Sequence, residues 1–491
     1  MASATEILEH HKALSASFGS ELLLVHPDGQ IINLATGYIP LLSTFTTEDK
    51  AAKGLRKGKE TSSEPVYFSL LELVRDNQVL LLDGPAGSGK STFAKHLCFG
   101  LARQDGIEQN TASTGGPLAG TDQWAYTGLQ PCYFAINGPG DLEALACQTI
   151  PTLLAGLPAS DSPGLIVVID AVENAGRSSA EQIESIATQI SASSNKRHKL
   201  VLLGDASASS NLVVPLTVTK YNIRPLSAAQ RRQKVSELIY LEPETVDCGL
   251  GDAASDPALF ALAMQVKDRG DQLEELLDAW LGALSATGIS TACVEQNAFH
   301  QICQEIHHIP ALEAKPKFSS EKSPLLARSR RVKHLLSARY LSSLPVDVSV
   351  GFYKHDPIST ADIIQSLFTR LRDVAFEQFN DLAQALLQED DPSSHRAALL
   401  IATAGDISAH LKHQVRIAAL AILEAGQLPI TERQAAASVL SRLGDPLNLT
   451  TLVSIPASTI TLGSNAHPNS QPTYNLHIAA FRISAYPVTT H

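Results

Sequence analysis

The sequence predicts an α/β fold with a parallel, doubly wound sheet, followed by a mostly helical region and a short β-rich end. Up to about residue 225, short apolar segments typical of buried strands alternate with segments of helical spacing. From Asp256 to about Gly444 the chain is mostly of helical spacing, and residues 452–491 are rich in β-branched residues and punctuated by proline. These observations separate a sheet-containing portion from a helical portion and from a final β portion.

The first strand of the predicted sheet is Gln78–Asp83, which is apolar from Val79 to Leu82. An uninterrupted apolar run of this kind is typical of a strand that is covered on both faces. The segment that begins at Lys90 has its apolar residues at helical spacing, so a helix follows the strand. Further strands are predicted at Cys132–Asn137, at Leu165–Ile169 before Asp170, at Lys199–Asp205 and within Asn211–Ile223.

The composition excludes several classes of protein. With 44% hydrophobic residues among 491, the chain can bury a large core, so whole-chain disorder is excluded. The formal net charge of −12 argues against a general nucleic-acid-binding protein. No run approaches the roughly 18 consecutive apolar residues of a membrane span. Six scattered cysteines without a C-x-x-C pair are typical of core thiols in a reducing compartment, so we expect a cytoplasmic location.

A glycine-rich loop lies between the first strand and its helix. The segment GPAGSGKS, residues 84–91, fits the pattern G-x-x-x-x-G-K-[ST] at every fixed position. Two of its glycines, Gly87 and Gly89, lack a Cβ where the loop must curl around an anion, and the following helix N-terminus adds positive potential. Lys90 would reach the β- and γ-phosphates. The sequence therefore predicts a nucleotide site formed by Gly84, Pro85, Ala86, Gly87, Ser88, Gly89, Lys90, Ser91 and Thr92.

A bound triphosphate requires Mg²⁺, and two side chains are predicted to hold it. Ser91 would supply its hydroxyl, and Asp170, at the end of a buried strand, would hold the ion through water. Glu173, three residues further on, would polarise an attacking water. Lys90, Asp170 and Glu173 are therefore the predicted catalytic residues. The alternatives are that Asp170 only caps a loop and that Glu173 has no catalytic role.

Several segments, in their order along the chain, resemble the NACHT branch of the STAND signalling ATPases. They are GYIPLLSTF before the glycine-rich loop, the strand LIVVIDAVEN, and YNIRPLSAAQRRQKV and DPALFALAMQVKDRG beyond it. The resemblance covers roughly residues 37–344. It implies that ADP or ATP lies between a nucleotide domain and a helical and winged-helix arm. It also implies that nucleotide exchange opens the arm and permits self-oligomerisation or binding of a protein partner.

The resemblance assigns roles to two residues outside the loop. It implies that Pro257 packs near the adenine and that His334, in the winged helix, senses the β-phosphate. Pro257 also fits an ordinary proline in the first turn of a helix, and His334 also fits a surface or core histidine. Two positions depart from the family pattern, because Asn174 stands where an acid is common and Asp205 where an arginine is common. Both departures predict slow hydrolysis.

The C-terminal part of the chain changes character twice. Residues 393–446 contain Ala/Leu-rich helical stretches with short Gly or Pro breaks, which resemble two or three stacked hairpins of a HEAT-like array. A plain helical bundle is the alternative. Residues 452–491 resemble the opening of a formylglycine-generating-enzyme (sulfatase-modifying-factor) domain, through Ile455-Pro456-Ala457, Leu462-Gly463-Ser464 and Phe481–Thr489. The match covers only the beginning of such a domain, so it assigns no metal or redox residue.

The predicted organisation has five parts and is compatible with three functions. The parts are a lead-in (1–65), a P-loop NTPase domain (66–225), a helical and winged-helix arm (226–385), HEAT-like hairpins (386–447) and the β-rich segment (448–491). The first function is a signalling switch with slow ATP hydrolysis and with ATP/ADP and Mg²⁺ as cofactors. The second is the regulatory ATPase portion of a formylglycine-generating-enzyme-like, metal-dependent oxidative or modifying enzyme. The third is a scaffold that holds nucleotide without turnover.

Overall fold

The computed structural model of the chain contains two compact units, Met1–Leu382 and Ala383–His491. The residues that it describes are 3–25, 30–44, 67–103, 128–157, 164–175, 179–205, 215, 217–239, 254–266, 272–286, 288–306, 329–405, 407–444, 451–464 and 466–486.

Strands and helices alternate in the first half of the described chain, helices follow, and strands return at the end. The strands are β1 (Leu22–Val25), β2 (Ile31–Asn33), β3 (Leu42–Thr44), β4 (Tyr67–Ser69), β5 (Val79–Asp83), β6 (Leu129–Ala135), β7 (Gly164–Asp170), β8 (Lys199–Gly204), β9 (Thr219–Asn222), β10 (Leu452–Ile455), β11 (Ser458–Leu462), β12 (Tyr474–Ile478) and β13 (Phe481–Ser484). The helices are α1 (Ala4–Ser17), α2 (Leu34–Gly37), α3 (Leu70–Asp76), α4 (Lys90–Ala102), α5 (Pro139–Ala144), α6 (Ile150–Gly156), α7 (Ser179–Ala192), α8 (Ala228–Ile239), α9 (Pro257–Ala263), α10 (Leu273–Ala286), α11 (Thr291–Glu305), α12 (Arg330–Ser342), α13 (Val346–His355), α14 (Ala361–Val374), α15 (Phe376–Leu386), α16 (Pro392–Thr403), α17 (Ala409–Ala425) and α18 (Ile430–Leu443).

Five strands of the first unit form one parallel sheet in the order β6-β7-β8-β5-β9. Successive side chains of a strand point to opposite faces, and both faces of this sheet are covered. Leu80 and Leu82 of β5 pack into the core on one face, and Leu81 packs into the core on the other. Burial on both sides explains why the central strands are apolar without alternation. The prediction of a parallel, doubly wound α/β sheet is confirmed.

The strand order determines which residues share an edge of the sheet. Strand β8 lies between β5, which precedes the glycine-rich loop, and β7, which ends in Asp170. Parallel strands end at the same edge, so the loop, Asp205 and Asp170 follow one another along that edge. Asp170 is therefore two strands away from the glycine-rich loop. The predicted strand at Cys132–Asn137 begins earlier and ends earlier, since β6 runs from Leu129 to Ala135.

The residues before the glycine-rich loop pack on the sheet. Helix α1 lies against β6, where the His11 and Phe134 rings are 4.5 Å apart between centroids. Strand β3 pairs with β4, and Ser43 of β3 forms an antiparallel bridge to Ile223 beyond β9. The backbone N–H of Arg224 donates to the Leu42 carbonyl at 2.8 Å. The lead-in is thereby joined to the chain just beyond β9, at this edge of the sheet.

Helices make up the described residues between 226 and 385, which contain no strand. The helical composition of this region, called the arm below, is therefore confirmed, while its role as an arm and its winged-helix character remain predictions. Arg339 of α12 holds three acidic residues, Glu274 and Asp278 of α10 at 2.6 Å and Glu295 of α11 at 2.9 Å. This ion network joins three helices of the arm.

Two expectations from composition can be compared with the described residues. No single described helix is long and apolar enough to cross a membrane, and the bent pair α10–α11 passes such a test by length and composition alone. Cys98, Cys132 and Cys303 are buried, as predicted for core thiols. Cys147 is exposed, so that prediction is wrong for it, because it lies in the π-helical turn Leu145–Thr149. Cys248 lies outside the described residues.

The second unit contains the helices α16–α18 and the strands β10–β13. The helices bury small apolar residues against one another, and the Arg396 guanidinium of α16 pairs with Glu432 of α18 at 2.8 Å. Strand β10 pairs with β13 and β11 with β12, both antiparallel, and most of their side chains are exposed. The helical and β-rich composition of this part is confirmed. The HEAT-like stacking and the formylglycine-generating-enzyme resemblance remain predictions.

Candidate nucleotide site

The glycine-rich loop leaves β5 and ends at the first residue of α4. Gly87 and Gly89 both have φ of +90°, a left-handed conformation that residues with a Cβ rarely adopt. Space is also limited, because a Cβ on Gly87 would lie 2.8 Å from the Arg331 Cβ and one on Gly89 would lie 3.0 Å from a Leu41 methyl group. Both glycines are therefore required by conformation and by packing.

Lys90 begins α4 and is buried. Its ammonium group donates to the carbonyl of Gly84 and, at 2.9 Å, to the carbonyl of Pro85. The lysine thus folds back across the loop and satisfies two of its carbonyl groups. Ser88 Oγ is buried and has no hydrogen-bond partner among the described residues. The loop therefore holds a cation that can bind a phosphate oxygen.

Asp170 ends β7 and is only 4% exposed. Its Oδ2 accepts a hydrogen bond from the Tyr133 hydroxyl at 2.9 Å, and its Oδ1 accepts one from the Ala171 N–H at 3.0 Å. Burial and the charge of Asp170 raise the pKa of Tyr133, which keeps the hydroxyl protonated as a donor. This role of Tyr133 is not indicated by the sequence, because its contact with Asp170 depends on the pairing of β6 with β7.

The residue after Asp170 has an unusual backbone. Ala171 has φ of +58°, the left-handed region in which only glycine is unstrained. With this conformation the chain turns sharply from β7 into the short 3₁₀ helix Val172–Ala175, which carries Glu173. Asn174, which stands where an acid is common in the resembling family, donates its side-chain N–H to the Ile136 carbonyl at 2.8 Å. Its amide therefore fixes this turn against the neighbouring strand.

Glu173 is held by two groups from different elements. Its Oε2 accepts a hydrogen bond from the Asp205 N–H at 3.3 Å, and its Oε1 lies 3.4 Å from Nη1 of Arg330 on the arm. Burial raises the pKa of Glu173, and the charges of Lys90 and Arg330 oppose that rise. Asp205 thus supports Glu173 through its backbone at the position where the resembling family often has an arginine.

The arm brings Pro257 and His334 to the same site. Pro257 is the first residue of α9, which Asp256 caps by accepting from the Ala258 N–H at 2.8 Å. A Cβ on Gly89 would lie 3.7 Å from Pro257, so this helix start packs on the glycine-rich loop. The position fits both readings of Pro257, the helix-initiating proline and the proline near a bound base.

His334 of α12 is 2% exposed, which excludes the interpretation as a surface residue. Its Nδ1 has no hydrogen-bond partner among the described residues and lies 3.8 Å from Oδ2 of Asp362. Burial, followed by the charge of Arg330, holds the pKa of His334 well below its usual value, so the ring is neutral. A neutral, buried ring nitrogen that faces a cavity can serve a ligand as donor or acceptor.

These residues line one cavity of about 1100 Å³ within the first unit. Its lining includes the glycine-rich loop and polar residues at the edge of the sheet. It also includes the apolar residues Leu24, Tyr38, Leu41, Phe260 and Met264. Of the residues predicted from sequence, those that line the cavity are Ala86, Gly87, Gly89, Lys90, Ser91, Thr92, Asp170, Glu173, Pro257 and His334. Gly84, Pro85 and Ser88 belong to the loop behind its surface.

The cavity fits a magnesium nucleotide on chemical grounds. A hydroxyl and a carboxylate, from Ser91 and Asp170, are oxygen donors of the kind that Mg²⁺ prefers. The loop offers closely approachable backbone and one lysine for phosphate oxygens. The apolar residues of the lining suit a flat aromatic base, and Tyr38 among them is held by stacking on His96 with 3.8 Å between ring centroids.

Comparison with known proteins gives limited information. No family model and no curated protein matches the chain. Among solved structures, it is similar to a signal transduction ATPase with numerous domains (STAND) that carries a tetratricopeptide repeat sensor, from Pyrococcus horikoshii. The two are 14% identical, the match covers 77% of this chain and 64% of that one, and the TM-score is 0.29. The fold class of this chain is therefore assigned from its own five-stranded parallel sheet.

Proposed function

We propose that the chain binds ATP or ADP with Mg²⁺ and acts as a slowly hydrolysing nucleotide switch of the STAND signalling class, with the NACHT-like features that its sequence resembles. The observation that carries the proposal is that the glycine-rich loop, Asp170 and the arm residues Pro257 and His334 line a single cavity. A nucleotide bound there would contact the sheet domain and the arm together, so its state can be communicated from one to the other.

The residues of the site divide into a phosphate end and a base end. Lys90 would exchange the loop carbonyls for phosphate oxygens, which it can do because both are acceptors for its ammonium. Ser91 and Asp170 would hold Mg²⁺, which neutralises the phosphate charge when bound. The apolar residues of the lining, among them Tyr38 and Phe260, would enclose the base.

The switch follows from the difference between ATP and ADP. A γ-phosphate adds contacts that ADP lacks, and a ligand shifts a conformational equilibrium only through such differences. His334 and Pro257 belong to the arm, so contacts to them depend on where the arm lies relative to the loop. We infer that the two nucleotides favour different arm positions. The open position would expose surface for self-association or for a protein partner.

Slow hydrolysis is expected from the side chains around Glu173. Asp205 adds negative charge where the resembling family often places an arginine, and Asn174 is engaged in fixing a turn. Among the described residues, the cations that act on Glu173 are Lys90 of the glycine-rich loop and Arg330 of the arm. The sheet edge contributes the negative charge of Asp205 instead.

The test is nucleotide binding by the intact chain. Nucleotide retained after purification is identified by chromatography, and affinities for ATP and ADP are measured with and without Mg²⁺. Lys90→Ala should weaken ATP binding by about 10- to 100-fold, the size of a charge-assisted contact to phosphate. Lys95→Ala is the matched control, since Lys95 lies on the same helix but pairs with Glu21 at 2.6 Å. Failure of both adenine and guanine nucleotides to bind would overturn the proposal.

Two further measurements separate the other functions. A switch should turn ATP over slowly and change its mass in light scattering when ATP replaces ADP, whereas a scaffold should bind nucleotide and do neither. The second function of the sequence analysis, regulation of a formylglycine-generating-enzyme-like activity, rests on the resemblance of residues 452–491 alone. A chelator-sensitive oxidation of a cysteine peptide by the chain would support it.

A further inference from the structure

Arg330, which no motif assigns, connects the arm to the candidate catalytic carboxylate. It is the first residue of α12, and its Nη1 lies 3.4 Å from Oε1 of Glu173, 157 residues earlier in the chain. Arg330 is 40% exposed in its side chain and Glu173 is 13% exposed. The contact therefore joins a side chain at the rim of the cavity to one inside it.

Both oxygens of Glu173 are engaged in this arrangement. Arg330 faces Oε1, and the Asp205 N–H donates to Oε2. A general base needs a free oxygen directed at the water that it polarises. Arg330 and the Asp205 N–H orient Glu173 toward the arm and toward the end of β8, and the charge of Arg330 lowers the basicity of the carboxylate that would polarise this water.

The contact depends on the position of the arm. The Asp205 N–H lies just beyond β8 of the sheet, whereas Arg330 belongs to α12, so the contact exists only where the arm lies against the site. Nε of Arg330 is buried with no hydrogen-bond partner among the described residues, and Arg330 lines the cavity. The contact with Glu173 is a single one at 3.4 Å from a side chain that is 40% exposed, so it is weak enough to break when the arm moves.

We propose that Arg330 is a positioning residue that holds Glu173 away from the attacking water while the arm is closed, so that hydrolysis waits for arm movement. The inference rests on the proposed nucleotide function of the same cavity and adds its regulation. It also gives a physical reason for slow turnover that does not depend on a missing residue, because the base is present but restrained.

The test is steady-state ATP hydrolysis by the full chain. Arg330→Met removes the charge and keeps much of the apolar stem, and it should raise kcat by about tenfold, the factor expected for losing one charge-assisted contact. KM for ATP should stay within about twofold, because uniform binding is not altered. Arg330→Lys, which restores a cation near Glu173, should return kcat toward the wild-type value.

Three controls define the result. Arg372→Met removes an arginine from the same arm at its surface pair with Asp373, 2.7 Å apart, and should leave kcat unchanged. Arg330→Met combined with Glu173→Gln should show no gain, since the gain requires the carboxylate. Thermal unfolding of each variant checks that the fold is kept.

The outcomes separate this inference from the proposed function. If wild type binds no nucleotide, both fail. If nucleotide binds and Arg330→Met leaves kcat unchanged, the restraint on Glu173 is wrong and the nucleotide function stands. If kcat falls instead, Arg330 assists the phosphates directly, and the proposal is also overturned.

Discussion

The Tyr133 hydroxyl donates a hydrogen bond to Oδ2 of Asp170 at 2.9 Å, from one strand of the parallel sheet to the next. The hydroxyl fixes the orientation of the carboxylate that is proposed to hold Mg²⁺. Partners of this kind commonly matter for metal binding nearly as much as the ligands do.

Tyr133→Phe tests this orientation. The ring still packs against Phe18, 5.2 Å away between centroids, so the fold should be kept while one oxygen of Asp170 loses its donor. We expect the Mg²⁺ concentration for half-maximal ATP binding to rise about tenfold, the lower range for lost outer-shell partners. Tyr221→Phe is the control, since the Tyr221 hydroxyl donates to Asn77 at 3.3 Å, away from Asp170. An equal change in both variants would contradict the expectation.

Two substitutions of Ala171 are predicted to change the free energy of unfolding in opposite directions. At φ of +58°, Ala171→Gly relieves strain of about 1 kcal/mol, so it should leave the free energy of unfolding unchanged or slightly raised. Ala171→Val adds a β-branched side chain at that angle and should lower it by about 2 kcal/mol or more. Ala187→Gly, in the middle of α7, should instead cost about 1 kcal/mol. Urea unfolding measures all three, and a loss in Ala171→Gly as large as in Ala187→Gly would show that no strain is present.

His11 predicts acid sensitivity. Burial, helped by the charge of His10, lowers the pKa of His11 to about 4. An unfolded histidine has a pKa near 6.5, so the unfolded chain takes up the proton first. The resulting stability is present above about pH 6.5 and is lost as the pH falls from about 6.5 toward about 4, by up to about 3 kcal/mol.

The His11 prediction is checked by unfolding wild type and His11→Leu at pH 7.5 and pH 4.5. The wild-type loss between these pH values should exceed that of His11→Leu. His410→Leu, at an exposed position, should follow wild type. Parallel pH curves for wild type and His11→Leu would refute the role of His11.

The Arg339 network predicts a large loss of stability. Arg339 is 11% exposed and faces Glu274, Asp278 and Glu295, so Arg339→Met removes the cation shared by three acids and leaves Glu274 paired with Arg370 alone. We expect a loss of about 3 kcal/mol, the cost of breaking a buried ion pair, moderated because Asp278 is largely exposed. Arg372→Met, at a surface pair, should cost less than about 1 kcal/mol. If chemical unfolding showed equal losses for Arg339→Met and Arg372→Met, the Arg339 network would contribute no more than a surface ion pair.

The phosphate end of the site could be predicted from sequence because its signals are local. Residues 84–91 carry their own pattern, and the apolar run before Asp170 marks the end of a buried strand. Tyr133 and Arg330 could not be predicted, because their contacts arise from strand order and from the packing of an arm helix far along the chain. The only signal for Tyr133 is its place as the second residue of the predicted strand Cys132–Asn137, and a tyrosine there also fits ordinary packing.

The N-terminal lead-in could not be placed by pattern either. Strands β3 and β4 are three residues each, too short for periodicity to show, yet they join the sheet domain. Similarly, the exposure of Cys147 depends on a π-helical turn that shifts the helix face, which residue type alone does not indicate.

The bridge between Ser43 and Ile223 has a consequence for solubility. An uncovered outer strand offers unpaired N–H and C=O groups to any other extended chain, and intermolecular pairing along such a rim leads to aggregates. Here the lead-in occupies part of that rim and hydrogen-bonds just past β9. A truncated chain that starts after residue 44 would expose this edge of the sheet. Strand β3 therefore protects the protein from edge-to-edge association with other copies of the chain.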